Sequence, residues 1–391
     1  MSDANVFFDY NSTTPLDAEV ASEMQRVQAF AWGNPSSIHQ SGRSAKAVLE
    51  EARARTAARL GCDVGELYFT SGGTESDHLA LKGCYFGDPR RPRHIVVSAI
   101  EHPAVVAAAE DLKRQGAQVT HVPCDEGGVV TPERLRLAIG PGATVCSVMA
   151  ANNETGVVQP VASLGEVAHE AGAYFHTDAV QALGKIPVDV RAWKVDMLAL
   201  TAHKFYGPRG IGALFIRRGI AITPQITGGS HERNRRAGTE NVIGAWGLAV
   251  ALEKAVALQA AEETRLRKLS GYFLDRLKSE VGDLHVNGDE SQRLANTVNV
   301  SFKGVEGEAI VVSLDLKGIC VASGSACSSG ATEPSHVILA LGVEPALAAG
   351  AVRFSFGRST TKEEIDLLLA ELPPAVERLR CLSPGYAGRP A

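Results

Sequence analysis

The sequence predicts an α/β protein, a large domain on a mainly parallel sheet followed by a smaller α+β C-terminal domain. Three observations carry this. Between about residues 60 and 217, short apolar strands alternate with helical segments, the pattern of βαβ units. From 242 to about 281 runs a long helical stretch with few breakers. After it the composition shifts to an α+β pattern.

In chain order, 11 to about 30 reads as a turn followed by a helix, expected to pack against the second domain. Strands are predicted at 66–70, 94–98, 144–149, 173–177, 197–201 and 212–216. A helix starts at His102-Pro103, because proline suits a first turn and Val105, Ala108, Ala109 and Leu112 share one face. The second domain reads as strand 296–302, helix 307–317, a Gly/Ser loop, a helix and strand 351–355. At 391 residues the chain suits two domains of roughly 100–200 residues or a large one with a satellite. The boundary is placed inside the long helix: 15–260 form the large domain, 1–14 and 261–391 the small one. No internal repeat or low-complexity segment interrupts this plan.

Composition narrows the function. With 45% hydrophobic and 21% charged residues, disorder and fibre are excluded. The net charge, 39 − 44 = −5, provides no electrostatic footprint for nucleic acid. The longest apolar run, 242–252, is 11 residues, short of the roughly 18–20 of a membrane span. Met1-Ser2-Asp3-Ala4-Asn5 has neither the basic nor the apolar region of a signal peptide. The expectation is a soluble cytoplasmic protein with no membrane or nucleic-acid partner. Seven cysteines without a CxxC pair argue against a disulfide framework and a zinc knuckle. Most are expected to be reduced, buried small hydrophobes.

Ligands of an open parallel sheet bind at the carboxyl ends of its strands, so the residues just past each strand mark the site. After the first comes Ser71-Gly72-Gly73-Thr74-Glu75-Ser76, a Gly-rich turn opening a helix, suited to a phosphate and also explicable as a structural turn. Glu101-His102-Pro103 and Asn152-Asn153-Glu154-Thr155-Gly156 come after the next two; either could be purely structural. Asp178 ends the fourth strand, with Gln181 three residues on, and Lys204 comes after the fifth in Thr201-Ala202-His203-Lys204. An anion and an amine on successive strand ends, beside a phosphate-ready helix start, suggest pyridoxal phosphate. Its ring nitrogen needs an anionic partner and its aldehyde an amine. In the second domain, Ser323-Gly324-Ser325-Ala326-Cys327-Ser328-Ser329-Gly330 carries a thiol on small-residue chain where neither packing nor a disulfide explains it; it reads as a linker with an incidental cysteine or as a mobile nucleophile able to swing into the cofactor site. Arg353 sits on a strand, where a partly buried guanidinium needs an anion such as an α-carboxylate.

These residues resemble the pyridoxal-phosphate-dependent cysteine desulfurases of the NifS/IscS type, within the class V aminotransferase superfamily. The likeness runs from Asp9-Tyr10-Asn11-Ser12-Thr13-Thr14 to Leu382-Ser383-Pro384. It also covers Gly33-Asn34-Pro35-Ser36-Ser37, Glu101-His102-Pro103, Asn152-Asn153-Glu154, His176-Thr177-Asp178-Ala179-Val180-Gln181, Arg236-Ala237-Gly238-Thr239-Glu240-Asn241 and Ser325-Ala326-Cys327. The resemblance implies a fold-type I transferase with a seven-stranded sheet. It implies Lys204 as the lysine that anchors the cofactor covalently, Asp178 at its ring nitrogen, Gln181 at its ring hydroxyl and His102 stacked on the ring. Gly73, Thr74, Thr201 and His203 would hold the phosphate, with Thr239 reaching it from the neighbouring subunit of a homodimer. Asn153 and Arg353, helped by Asn34, would bind the substrate carboxylate.

Cys327 would take sulfur from L-cysteine as a persulfide, leaving L-alanine. The sulfur would serve iron–sulfur cluster assembly or another sulfur-containing cofactor, through a scaffold or other acceptor protein. No metal site is assigned, Cys327 standing only as a candidate transient cluster ligand. The alternatives are a selenocysteine lyase, a class V transaminase, which needs no loop thiol, or a non-catalytic sulfur carrier or scaffold subunit. Three features depart from the family pattern. Ala202 stands where Ser or Gly is common, and Ser12 where Ala is usual, a change expected to matter little. The tail after Leu382 is short.

Overall fold

The computed structural model describes residues 6–323, 333–383 and 386. The N-terminal part runs β1 (Val6–Phe7), α1 (Ala18–Gln28), α2 (Gln40–Leu60), β2 (Leu67–Thr70), α3 (Gly73–Gly87), β3 (His94–Ser98) and α4 (Pro103–Arg114). Next come β4 (Gln118–Val122), α5 (Pro132–Ile139), β5 (Val145–Ser147), α6 (Val161–Glu170), β6 (Tyr174–Asp178), β7 (Met197–Thr201) and β8 (Gly212–Ile216). Helix α7 (Val242–Glu280) leads into β9 (Leu284–Val286), β10 (Thr297–Phe302), α8 (Gly307–Asp315), β11 (Ile319–Cys320) and β12 (Ala322–Ser323). The chain ends with α9 (His336–Ala340), α10 (Pro345–Ala348), β13 (Ala351–Ser355) and α11 (Lys362–Leu382).

Seven strands form the main sheet in the order β2-β8-β7-β6-β5-β3-β4. Only β8 runs against its neighbours, so the sheet is mainly parallel, as the alternating pattern implies. The residues themselves show six of these strands. The seventh, β4, lies at the edge and carries polar, partly exposed side chains at Gln118, Thr120 and His121, so it lacks the apolar signature of a covered strand. Both sheet faces are packed. Phe69, Cys146, Phe175, Leu198 and Phe215 face α1, α2, α5, α6 and the start of α7. Tyr68, Ile95, Val97, Met197 and Leu214 face α3 and α4. On α4, Val105, Ala108, Ala109 and Leu112 are buried as their spacing predicts.

A further core gathers Phe8, Phe273, Leu277, Val298, Phe302, Val352, Phe354, Leu368 and Leu372 beneath the antiparallel sheet β12-β13-β10-β9. Helix α7 serves both cores, with Val242 to Ala255 in the first and Leu266 to Leu277 in the second. By length and composition α7 could cross a membrane, yet most of its apolar window is buried inside the protein. It is a core helix. The expectation for the N-terminal segment holds for its turn and not for its helix. Val20 and Val27 bury α1 in the large core, whereas β1 pairs with β11, Asn11 Nδ2 donates to Thr297 Oγ1 at 2.9 Å and Asp17 pairs with Arg358. The cysteines divide as well: Cys84, Cys124 and Cys146 are buried, whereas Cys381 is exposed.

Candidate active site

The carboxyl ends of β2, β6 and β7 converge. Helix α3 starts at Gly73 with Gly72 as an N-cap that offers no side-chain acceptor, so its first N–H groups have no partner within the helix. A Cβ on Gly73 would come within 2.8 Å of Val180, and one on Gly72 within 3.7 Å of Thr201 Oγ1. The glycines thus let the helix start press onto the chain after β6 and β7. Thr201 Oγ1 donates to the Ile211 carbonyl at 3.2 Å. His203, next to Lys204, has its ring within 3.2 Å of Thr13 Oγ1, and burial lowers it to about 4, keeping it neutral. Ala202 is buried in the large core.

Asp178 is buried and accepts from the Val180 N–H at 2.8 Å. Burial raises its carboxyl, and the nearby His102 and Lys204 act in the opposite direction. Lys204 Nζ donates to the carbonyls of Asn11 at 2.6 Å and Ser12 at 2.8 Å. The Asn11 carbonyl also accepts from Gln181 Nε2 at 2.9 Å. Lys185 completes the group, donating to Gln181 Oε1 at 2.6 Å and Asn11 Oδ1 at 3.2 Å. That bond fixes which way the Gln181 amide faces, leaving its NH₂ group toward the site. Burial, with Lys204 and Arg353 adding like charge, holds Lys185 well below the usual lysine range. No sequence motif singles out Asn11 or Lys185 for this group, although Lys185 lies one helical turn beyond Gln181 and Asn11 falls in the first matching block.

Arg353 is held on β13 opposite Asn299 and Ala322. Its Nη1 donates to the Asn153 carbonyl at 2.9 Å, and its Nη2 to Asp9 Oδ1 at 2.6 Å and Ser12 Oγ at 2.7 Å. Arg353 Nε and Asn153 Oδ1 are buried with no hydrogen-bond partner among the described residues. Asn152 builds the turn that presents Asn153, its Oδ1 accepting from the N–H groups of Glu154 and Thr155. The expectation that Ser12 matters little does not hold, since its hydroxyl joins Asp9 to Arg353.

His102 caps α4, its Nδ1 accepting from the Ala104 N–H at 3.1 Å. Burial lowers its pKa, so the ring is neutral. Behind Asp178 lie two further buried acids. Burial, then the charges of Asp178 and Glu101, raise Asp77 well above the carboxylate range. Burial pushes Glu101 up to about 8, despite bonds from Ser98 Oγ and the Met149 N–H. Asp178 is therefore set apart in this group by Lys204, whose charge favours its ionised form. Glu101 also gives a prediction for stability. Folded Glu101 keeps its proton up to about pH 8, whereas the unfolded group loses it near 4.5. Over that interval the folded state binds more protons, so this group's contribution to stability falls as pH rises. Glu101→Gln removes the loss. The melting temperature of the variant relative to the unaltered protein should rise between about pH 5 and pH 8. An unchanged difference would mean that Glu101 is ionised in the fold.

The remaining expected residues lie further out. Asn34 is exposed, and its Oδ1 accepts from the Ser36 N–H within its own turn. Thr239 is exposed before α7, in a segment tied to α3 by the Arg236–Glu75 ion pair. Cys327 lies outside the described residues. The ends of its segment do not. Ser323 pairs with Val352 beside Arg353, and Ser335 Oγ donates to Glu154 Oε2 at 2.6 Å. Cys327 is the fourth residue after Ser323, a reach of at most roughly 14 Å.

Pyridoxal phosphate fits these residues. The uncapped helix start offers N–H groups without helix partners, and Gly72 brings it close to the Thr201 hydroxyl. A buried acid and an amine stand on the adjoining strand ends, Asp178 and Lys204.

The Aminotransferase class-V family model matches residues 6–368. The chain is 45% identical over 379 residues to the cysteine desulfurase IscS of Dictyoglomus turgidum, covering 97% of this chain and 96% of that protein. It is 47% identical over 381 residues to a cysteine desulfurase of Cereibacter sphaeroides, covering 97% of each. A solved NifS-like protein superimposes with a TM-score of 0.89 at 36% identity, covering 96% of this chain and all of that one. The structure of SspA in complex with cysteine does so with a TM-score of 0.79 at 32% identity, covering 90% and 98%. The chain belongs to the class-V aminotransferase family and, within it, to the cysteine desulfurases of the NifS/IscS type.

Proposed function

We propose that this enzyme is a pyridoxal-phosphate-dependent cysteine desulfurase that converts L-cysteine to L-alanine and passes the sulfur to Cys327. The observation that carries this reading is that Gln181 and Lys204 meet on the Asn11 and Ser12 carbonyls, with Arg353 on the Ser12 hydroxyl and Asp178 near enough to Lys204 to feel its charge. The cysteine bound in the SspA structure supports the substrate. Pyridoxal phosphate, when bound, supplies an electron sink for the pair released at the substrate Cα.

The chain's own residues do the rest. Gly73, Thr74, Thr201 and His203 would hold the phosphate, Asp178 would pair with the ring nitrogen and Gln181 would donate to the ring oxygen. His102, fixed by capping α4, would stack on the ring. Arg353 and Asn153 orient the substrate carboxylate, and Lys204 removes the Cα proton. The Cys327 thiolate forms an S–S bond to the substrate sulfur as the Cβ–S bond breaks, and protonation at Cβ completes alanine. Enzyme thiol and cysteine thus become enzyme persulfide and alanine, with no outside oxidant. An iron–sulfur scaffold or another acceptor protein then takes the sulfur. A cytoplasmic setting, expected from the sequence, is part of the proposal.

A homodimer is part of the proposal. Trp32 and Ile38, flanking the Gly33-Asn34-Pro35 block, are 73% and 91% exposed, a surface suited to a second copy. Thr239 would complete the partner's phosphate site. Purified protein given L-cysteine and a thiol reductant should form alanine and sulfide in equal amounts, and should sediment as two chains. Alanine without sulfide, or full activity in a monomer, would contradict the reading.

A further inference from the structure

Arg353 carries five N–H donors, and a carboxylate is taken bidentately along one edge of the guanidinium. Both available edges that offer such a fork include Nη2, either with Nη1 or with Nε. Here Nη2 is already committed twice, to Asp9 Oδ1 at 2.6 Å and to Ser12 Oγ at 2.7 Å. Nη1 is engaged by the Asn153 carbonyl. Nε, on a side chain 8% exposed, has no partner among the described residues. The Nε/Nη2 edge is thus half open. One donor awaits an acceptor and the other must be released before a carboxylate seats on both.

We infer that Ser12 sets substrate and product affinity by competing with the α-carboxylate for Arg353 Nη2. Of the two acceptors on Nη2, Ser12 is neutral and exposed, so its hydroxyl gives way more readily than the Asp9 carboxylate. The same hydroxyl donates to Asp9 Oδ1 at 2.8 Å, which keeps acceptor and acid together while the site is empty. The consequence is a looser grip on any α-amino acid, L-alanine included, which hastens product release. Ser12 acts through Arg353 and is a positioning residue.

This inference rests on the reading of Arg353 as the carboxylate's partner, and the test separates the two. L-alanine binding to the cofactor-loaded enzyme is measured by calorimetry, beside KM and kcat for L-cysteine. Ser12→Ala should tighten L-alanine binding and lower KM by a common factor of about 3–10, the equivalent of one net hydrogen bond, with a smaller change in kcat. Ser12→Thr, which restores the hydroxyl, should return both toward the unaltered values. Unchanged or weaker L-alanine binding in Ser12→Ala, with binding lost in Arg353→Met, would overturn the role of Ser12 alone. Arg353→Met binding L-alanine as tightly as the unaltered enzyme would overturn the carboxylate assignment and the inference with it.

Discussion

Lys204→Ala should end alanine and sulfide formation from L-cysteine, a loss of at least about 10³-fold. The variant lacks both the covalent anchor and the general base, and a general base alone contributes about 10²–10⁴. Lys185, the other buried amine close by, cannot stand in. Its Nζ is spent on Gln181 Oε1 and Asn11 Oδ1, whereas Lys204 Nζ rests on the Asn11 and Ser12 carbonyls. Steady-state assays of alanine with the cofactor in excess test this. Activity above a few per cent of the unaltered enzyme would remove Lys204 from the role.

The second large effect is that of Cys327→Ser. Asp178, Gln181, Lys204 and Arg353 are untouched, so the variant should bind cofactor and L-cysteine and change its visible spectrum on mixing. It should form no alanine, because a serine alkoxide is inaccessible near neutral pH and oxygen does not accept sulfur as a thiolate does. Cys320 is the control. It lies on β11, partly buried, where burial raises its thiol. Cys320→Ser should keep full turnover. Alanine from Cys327→Ser at the unaltered rate would show that Cys327 is not the sulfur acceptor.

Much of the site is legible from residue order, because the chemistry sits where apolar runs end. Strand ends are visible as a change of polarity, and Asp178 and Lys204 fall at two of them. The helix start at Gly73 is visible for the same reason, as a Gly-rich turn directly after an apolar strand. Three things are hidden. Strand β4 is an edge strand with a polar face, so periodicity does not mark it. Asn11 and Lys185 act through contacts between positions 174 residues apart in the chain, which no local pattern encodes. Ser12 looks neutral in the sequence because the guanidinium its hydroxyl meets lies 341 residues away. What α1 packs against is hidden for a related reason: an amphipathic helix shows that it has a buried face, not which face it meets.

Intact-protein mass spectrometry after a brief exposure to L-cysteine, with peptide mapping, tests the transfer of substrate sulfur to the chain most directly. The expected result is a gain of about 32 Da, one sulfur atom, on the peptide carrying Cys327, removed by a thiol reductant and absent in Lys204→Ala. Sulfur found on Cys320 or nowhere, while alanine accumulates at the unaltered rate, would contradict the mechanism.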